Sequence, residues 1–220
     1  MKAVVNFPAR YRAQPKAKCT GDGFKYFNEL QIKLIRRTAR DAAQLARQKG
    51  QVTAVRTWML VDLLTSTGMR ESEAANMCCG DILTGYGQSA CFVRNGKGGK
   101  SRTIQIPDSL RKHLKSFITW KNDHGESTGN DDYLFIGQRG PWTPWAVGNV
   151  VKNLLRQLGL YEPGKSAHSL RHSYAVELYR QKRDIRAVQK QLGHTCIQIT
   201  QKYADVLTED IQAQIKGLWN

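Results

Sequence analysis

The 220-residue chain carries 34 Lys and Arg against 18 Asp and Glu, a formal charge of +16, with 40% hydrophobic and 24% charged residues. Such a chain can bury a core in one large domain or two small ones, and wholesale disorder is excluded. No run reaches the roughly 18 apolar residues of a membrane span, and the basic N-terminus lacks the apolar centre of a secretion signal, so a cytoplasmic protein without a membrane partner is expected.

Cys19, Cys78, Cys79, Cys91 and Cys196 are odd in number, two of them adjacent, with no C-x2-C pair. Neither a disulfide framework nor a zinc module is indicated, and reduced thiols with no metal and no cofactor are expected. The positive excess points to a polyanionic partner, nucleic acid before anionic membrane. Its distribution is uneven. Residues 1–50 hold 12 basic and 3 acidic side chains, residues 51–150 are nearly neutral, and residues 151–220 are basic again.

Residues 1–26 read as a basic arm, mixing Pro, Gly, Lys and Arg without a sustained period in residues 1–24, and residues 27–220 as one folded unit. From Phe27 the pattern turns helical. Phe27, Leu30, Leu34, Thr38, Ala42 and Leu45 recur at three- and four-residue steps and are expected to face inward. Lys33, Arg36, Arg37, Arg40 and Arg47 lie on another face. That face is either simply solvated or turned to phosphates, and the scarcity of acid among these cations favours phosphates.

Residues 51–67 are apolar nearly all round and predict a buried helix, with Gly68 as its left-handed stop. A helix restarts at Arg70, with Glu71 and Glu73 in its first turn, where the dipole favours anions. Arg70 is thereby held at a junction, and Glu73 at i+3 is a ready partner. Residues 89–95 and 101–106 predict a hairpin whose tip, Gly96-Lys97-Gly98-Gly99-Lys100, suits a contact to a backbone phosphate. The tip lacks the spacing and the strand-to-helix setting of a nucleotide-binding loop.

Asp108 is expected to cap a helix with Leu110, Leu114, Phe117 and Ile118 inward, and residues 133–136 to form a short strand. Thr143-Pro144 is a helix start of the cap-then-proline kind, and Gly159 its stop. His168-Ser169-Leu170-Arg171-His172 opens another helix, with His168 and Arg171 on one face. Asp184 caps a short helix ended by Gly193, His194 follows the break, and Thr195 is expected to cap the next helix. Tyr203 lies nine residues beyond His194. On one unbroken helix the two would face apart, at ~100° per residue. The glycine break removes that obstacle. The predicted class is α+β, mostly helical, with a small antiparallel sheet.

Arg70 in TGMRESE, Lys97 in GKGGKSR, then H-x-L-R-H, L-G-H and Tyr203, in this order, resemble the tyrosine recombinases, also called phage integrases. The resemblance spans about residues 27–219 and implies that family's catalytic domain. It implies that Arg70, Lys97, His168, Arg171 and His194 form the catalytic set around Tyr203 as nucleophile, with Glu73 supporting Arg70. Lys100 rivals Lys97 for the lysine role. Lys33, Arg36, Arg37, Arg40, Lys100 and Arg102 are the expected DNA-binding residues.

Many family members carry a separate clamping domain ahead of the catalytic one; here the basic surplus of residues 1–50 is expected to take over part of that role. The implied partners are double-stranded DNA with paired recombination sites, a homo-tetramer joined through a C-terminal helix over residues 208–219, and accessory DNA-bending proteins. That helix packs either on its own domain or on a neighbouring protomer.

The chemistry is consistent with the residues. Attack on a phosphodiester builds negative charge, which two rigid guanidinium forks at Arg70 and Arg171 can meet. His168 and His194 add hydrogen bonds or proton transfer. A phenol of pKa about 10 needs a positive surrounding or a base to react. The implied activity is site-specific recombination of a mobile element through a 3′-phosphotyrosine. A type IB topoisomerase-like nicking and closing enzyme, and a catalytically silent DNA-binding accessory protein, remain the alternatives.

Overall fold

In a computed structural model of the chain, the structure describes residues 25–85, 87–96 and 99–205. Residues 1–24 of the expected basic arm 1–26, Lys97 and the expected C-terminal helix of residues 208–219 lie outside the described residues. Helix α1 (Glu29–Gln48) opens with a reciprocal cap: Asn28 accepts the Gln31 N–H, and the Gln31 side chain accepts that of Asn28. Its inward face is Ile35, Thr38, Ala39, Ala43 and Ala46. This corrects the expected stripe, since Leu30 is 63% and Leu45 53% exposed. Phe27 and Thr38 of the expected stripe are buried and Leu34 packs against the core, so the inward face is shifted at Leu30 and Leu45 rather than replaced.

Helix α2 (Thr53–Thr67) is buried along most of its length and ends, as expected, at Gly68 with φ +63°. A Cβ there would stand 2.5 Å from the Tyr174 ring and 2.9 Å from Leu192, so close packing and backbone conformation both demand glycine. Helix α3 (Glu71–Ala75) follows after the single turn Met69-Arg70, which sets Arg70 at its cap position.

A short 3-10 turn leads into β1 (Ile82–Leu83), β2 (Ala90–Val93) and β3 (Arg102–Gln105), an antiparallel sheet in the order β1-β2-β3. The predicted hairpin is β2–β3, with Cys91 opposite Ile104 and Val93 opposite Arg102. Ile104 and Ile106 point into the core as their alternation requires. Helix α4 (Asp108–Asp123) buries Leu110, Leu114, Phe117 and Trp120. Asp108 is its first residue and pairs with Arg111, while Pro107 holds the cap position, so the expected Asp108 cap is not formed.

Residues 133–136 form no full strand. Leu134 and Phe135 are buried beside an isolated bridge between Tyr133 and Cys78. Pairing is limited to β4 (Ile136–Gly137) with β5 (Gly140–Pro141). Helix α5 (Pro144–Gln157) starts as predicted, Thr143 accepting the Ala146 N–H.

Helix α6 (Ala167–Lys182) is capped by Ser166 and α7 (Ile185–Leu192) by Asp184. Helix α8 (Gln198–Asp205) follows the Gly193 break. The Ile197 carbonyl receives the first turn of α8, so Thr195 is not its cap. A second, smaller core of Ala175, Val176, Val188, Leu192 and Tyr203 ties α6, α7 and α8 together. Among the described residues, no helix is long and apolar enough to cross a membrane.

Candidate active site

The site is built on Glu73, whose side chain is almost wholly buried beneath three arginines. Arg102 of β3 grips it with two parallel bonds, Nη1 to Oε1 at 2.7 Å and Nη2 to Oε2 at 2.8 Å. Arg70 gives it the backbone N–H and Nη1, both at 2.8 Å, and Arg171 approaches to 4.0 Å. Burial works to raise the Glu73 pKa, but the bonds from Arg102 and Arg70 prevail and bring it to about 2. A fixed anion thus offsets part of the cationic charge around it.

Arg171 reaches across the core from α6. Its Nη1 donates to the Gly68 carbonyl at 2.7 Å and its Nη2 to the Leu192 carbonyl at 2.8 Å. Both acceptors sit where a left-handed glycine ends a helix, where carbonyls lose their intrahelical partners. Burial, and then the nearby Arg70 charge, lower its pKa to about 10, so it stays a cation at neutral pH.

His194 Nε2 lies 3.0 Å from Arg171 Nη2, and its Nδ1 lies 3.0 Å from Thr200 Oγ1. A guanidinium only donates, so Nε2 accepts and Nδ1 carries the hydrogen toward Thr200. The His194 ring lies nearly parallel to that of Tyr203, 6.2 Å between centroids and 19° between planes. Burial and the charges of Arg171, Arg70 and Arg102 depress its pKa to about 4.

Tyr203 is 3% exposed, and burial raises its pKa against the opposing pull of Arg171 and Arg70. Its hydroxyl lies 3.0 Å from His172 Nδ1. The His168 ring stands edge-on to His172 at 4.5 Å. Burial, Arg171 and Arg70 lower the pKa of His168, although the residue remains exposed. Two fixed guanidiniums, three imidazoles and a shielded phenol therefore share one basin, drawn from α3, α6, α8 and the loop between α7 and α8. Such a set can bind an oxyanion and present an oxygen nucleophile to it.

Residues 29–210 match the model of the phage integrase family. The chain belongs to that family. It is 32% identical over 166 residues to tyrosine recombinase XerA of Pyrococcus furiosus, covering 74% of this chain and 54% of the relative. It is 33% identical over 168 residues to XerD of Oceanobacillus iheyensis, covering 76% and 54%. The chain thus spans about half the length of these relatives. Among solved structures, XerA recombinase superposes with a TM-score of 0.68 at 25% identity, over 86% of this chain and 65% of that one. XerH site-specific recombinase bound to palindromic difH substrate, a post-cleavage complex, gives 0.71 at 22% identity over 89% and 53%, a likeness of fold. The integrase-family catalytic fold, mostly helical with small antiparallel sheets, is therefore established.

Within this integrase-family fold, Arg70, Glu73, His168, Arg171, His194 and Tyr203 converge from positions more than 130 residues apart. Lys100 is exposed at the base of the hairpin tip, its carbonyl holding the Gly96 N–H. Two expected DNA-facing arginines turn inward instead. Arg102 grips Glu73, and Arg36 bonds the buried Asp62 carboxylate together with Thr65 and Ser66. Uncompensated, Asp62 would be an isolated buried charge, so the cation is drawn to it. Lys33, Arg37 and Arg40 stay exposed in pairs with Glu29 and Asp41.

His172, Thr200 and Gln191 join the site without being among the expected residues. His172 was visible at i+4 from His168. Thr200, and Gln191, whose carbonyl accepts from Arg102 Nε at 3.3 Å, carried no signal in the chain order.

Proposed function

We propose that the chain is the catalytic unit of a site-specific DNA recombinase that cuts and rejoins DNA through a 3′-phosphotyrosine. The observation that carries this reading is the placement of the buried Tyr203 hydroxyl in one basin with Arg70, Arg171 and His194. The N–H groups of Arg70 and Arg171 not committed to Glu73, Gly68, Leu192 and His194 hold the non-bridging oxygens of a phosphodiester, and Glu73 keeps Arg70 in register. His194, neutral with its Nδ1 hydrogen committed to Thr200, sets the Arg171 fork. Tyr203 attacks phosphorus, and the departing 5′ oxygen takes a proton from the hairpin, by Lys97 or Lys100. A 5′-hydroxyl from a second strand reverses the step, so exchange needs no external energy.

The buried phenol accounts for restraint. With its pKa raised by burial, Tyr203 is protonated at neutral pH and unreactive until a phosphate arrives. The reading extends to the assembly: residues 1–26 as a basic arm on the DNA, residues 27–220 as the catalytic domain, residues 208–219 as a helix docking on a neighbour in a tetramer. Paired sites on a mobile element, assisted by DNA-bending proteins in the cytoplasm, complete it.

The test uses a nicked duplex selected for binding from a random pool, so that cleavage releases a short strand and traps the adduct. Covalent protein–DNA product is expected from the unaltered chain and not from Tyr203→Phe, with equal DNA binding by both. An adduct persisting in Tyr203→Phe overturns the nucleophile assignment. Formation of four-way junctions from two marked duplexes separates recombination from simple nicking and closing.

A further inference from the structure

We infer that His172 is the base that receives the proton of Tyr203 during attack, a role that rests on the recombinase reading above. Its Nδ1 lies 3.0 Å from the Tyr203 hydroxyl oxygen, within direct transfer distance. The two rings are 5.7 Å apart and tilted by 53°. The other imidazoles are turned to different tasks. His194 has both nitrogens engaged, with Arg171 and Thr200, and offers Tyr203 its ring face. His168 meets the edge of His172 and faces solvent.

The surroundings set the proton balance. His168 and Arg171 face His172 from α6, His194 from the loop before α8, and Lys202 and Tyr203 from α8. Burial, then these cations and imidazoles, hold its pKa at about 4. His172 is thus neutral and able to accept at neutral pH, while Tyr203 retains its proton. Without DNA the transfer runs uphill, and the nucleophile stays masked. A phosphodiester seated beside Arg171 offsets one of the charges that suppress the imidazolium, so His172 gains basicity when the substrate is in place.

The step then balances. The hydroxyl proton of Tyr203 passes to His172 Nδ1, the phenolic oxygen forms a bond to phosphorus, and the phosphorus–O5′ bond breaks with its electron pair on O5′. That oxygen is protonated by a separate acid of the site. On rejoining, the phenolate leaves and recovers its proton from the His172 imidazolium, which returns the site to its starting state.

Single-turnover trapping on the selected nicked duplex tests this. His172→Ala should slow adduct formation by on the order of 10²- to 10⁴-fold, with DNA affinity unchanged, and added imidazole should restore part of the rate. His172→Asn puts an amide oxygen near the Nδ1 position, keeping the hydrogen bond without the ability to take a proton, and should be equally slow. It also serves if the alanine variant fails to fold. Trapping by His172→Asn at the unaltered rate would show that His172 only positions the phenol and would overturn the inference alone. An adduct in Tyr203→Phe, or none from the unaltered chain, overturns the recombinase reading and this inference with it.

Discussion

Arg102 chelates Glu73 across 29 residues of sequence, through two parallel bonds of 2.7 and 2.8 Å. The pair couples the strand leaving the lysine-bearing hairpin to the helix that holds Arg70. Arg102 Nε also reaches the Gln191 carbonyl, and Gln191 returns two bonds to the β3 backbone at Gln105. These bonds tie β3, α3 and α7 to one another.

Breaking that pair should loosen the fold and the site together. Arg102→Ala leaves a buried carboxylate with one arginine fewer, and removing one partner of a buried ion pair costs about 3–5 kcal/mol. The urea midpoint should fall accordingly, and adduct formation should fall with it. Arg102→Lys should recover little, because an ammonium cannot make the two-point grip.

Acid should destabilise the protein in two stages. His172 and His194 have pKa values depressed to about 4 from 6.5, so the unfolded chain binds protons first as pH falls. Their contribution is complete above about pH 6.5 and lost progressively down to about pH 4. Glu73, depressed to about 2 from 4.5, adds stability that is lost between about pH 4.5 and 2. Urea unfolding across this range should show the midpoint dropping below pH 6.5, and His194→Asn should flatten the upper stage.

Gly68→Ala should be costly for two reasons at once. The backbone is left-handed at φ +63°, and the new methyl would meet the Tyr174 ring. A loss well above the ~1 kcal/mol of an ordinary left-handed alanine is expected, read as a lower melting temperature. Because the Gly68 carbonyl anchors Arg171, cleavage should fall more than stability does.

The basic face of α1 should divide in its response. Arg37→Ala and Arg40→Ala remove exposed cations. Each should leave stability unchanged, weaken DNA binding and lower the salt slope by about 0.9 if it contacts a phosphate. Arg36→Ala should instead lower the unfolding midpoint, because Asp62 would keep only His113 and the neighbouring Ser66 hydroxyl. Titrating a labelled duplex at several salt concentrations, beside urea unfolding, separates the two effects.

Local signals determined much of this protein. Gly68 and Gly193 as left-handed stops, Thr143-Pro144 and Asp184 as helix starts, and the alternation of Ile104 and Ile106 each rest on backbone conformation or period alone, which neighbours in sequence dictate. The ordered string from Arg70 to Tyr203 carried the family in the same way. What only tertiary structure decided was which of two competing partners a side chain takes. The inward face of α1 went to Ile35, Thr38 and three alanines, while Leu30 and Leu45 stayed exposed. Arg36 and Arg102 turned from solvent because the buried carboxylates Asp62 and Glu73 had to be neutralised. His172 met Tyr203 because the Gly193 break swings α8 back onto α6. Each of these depends on burial and on charges brought together from distant segments, quantities that no local stretch of the chain contains.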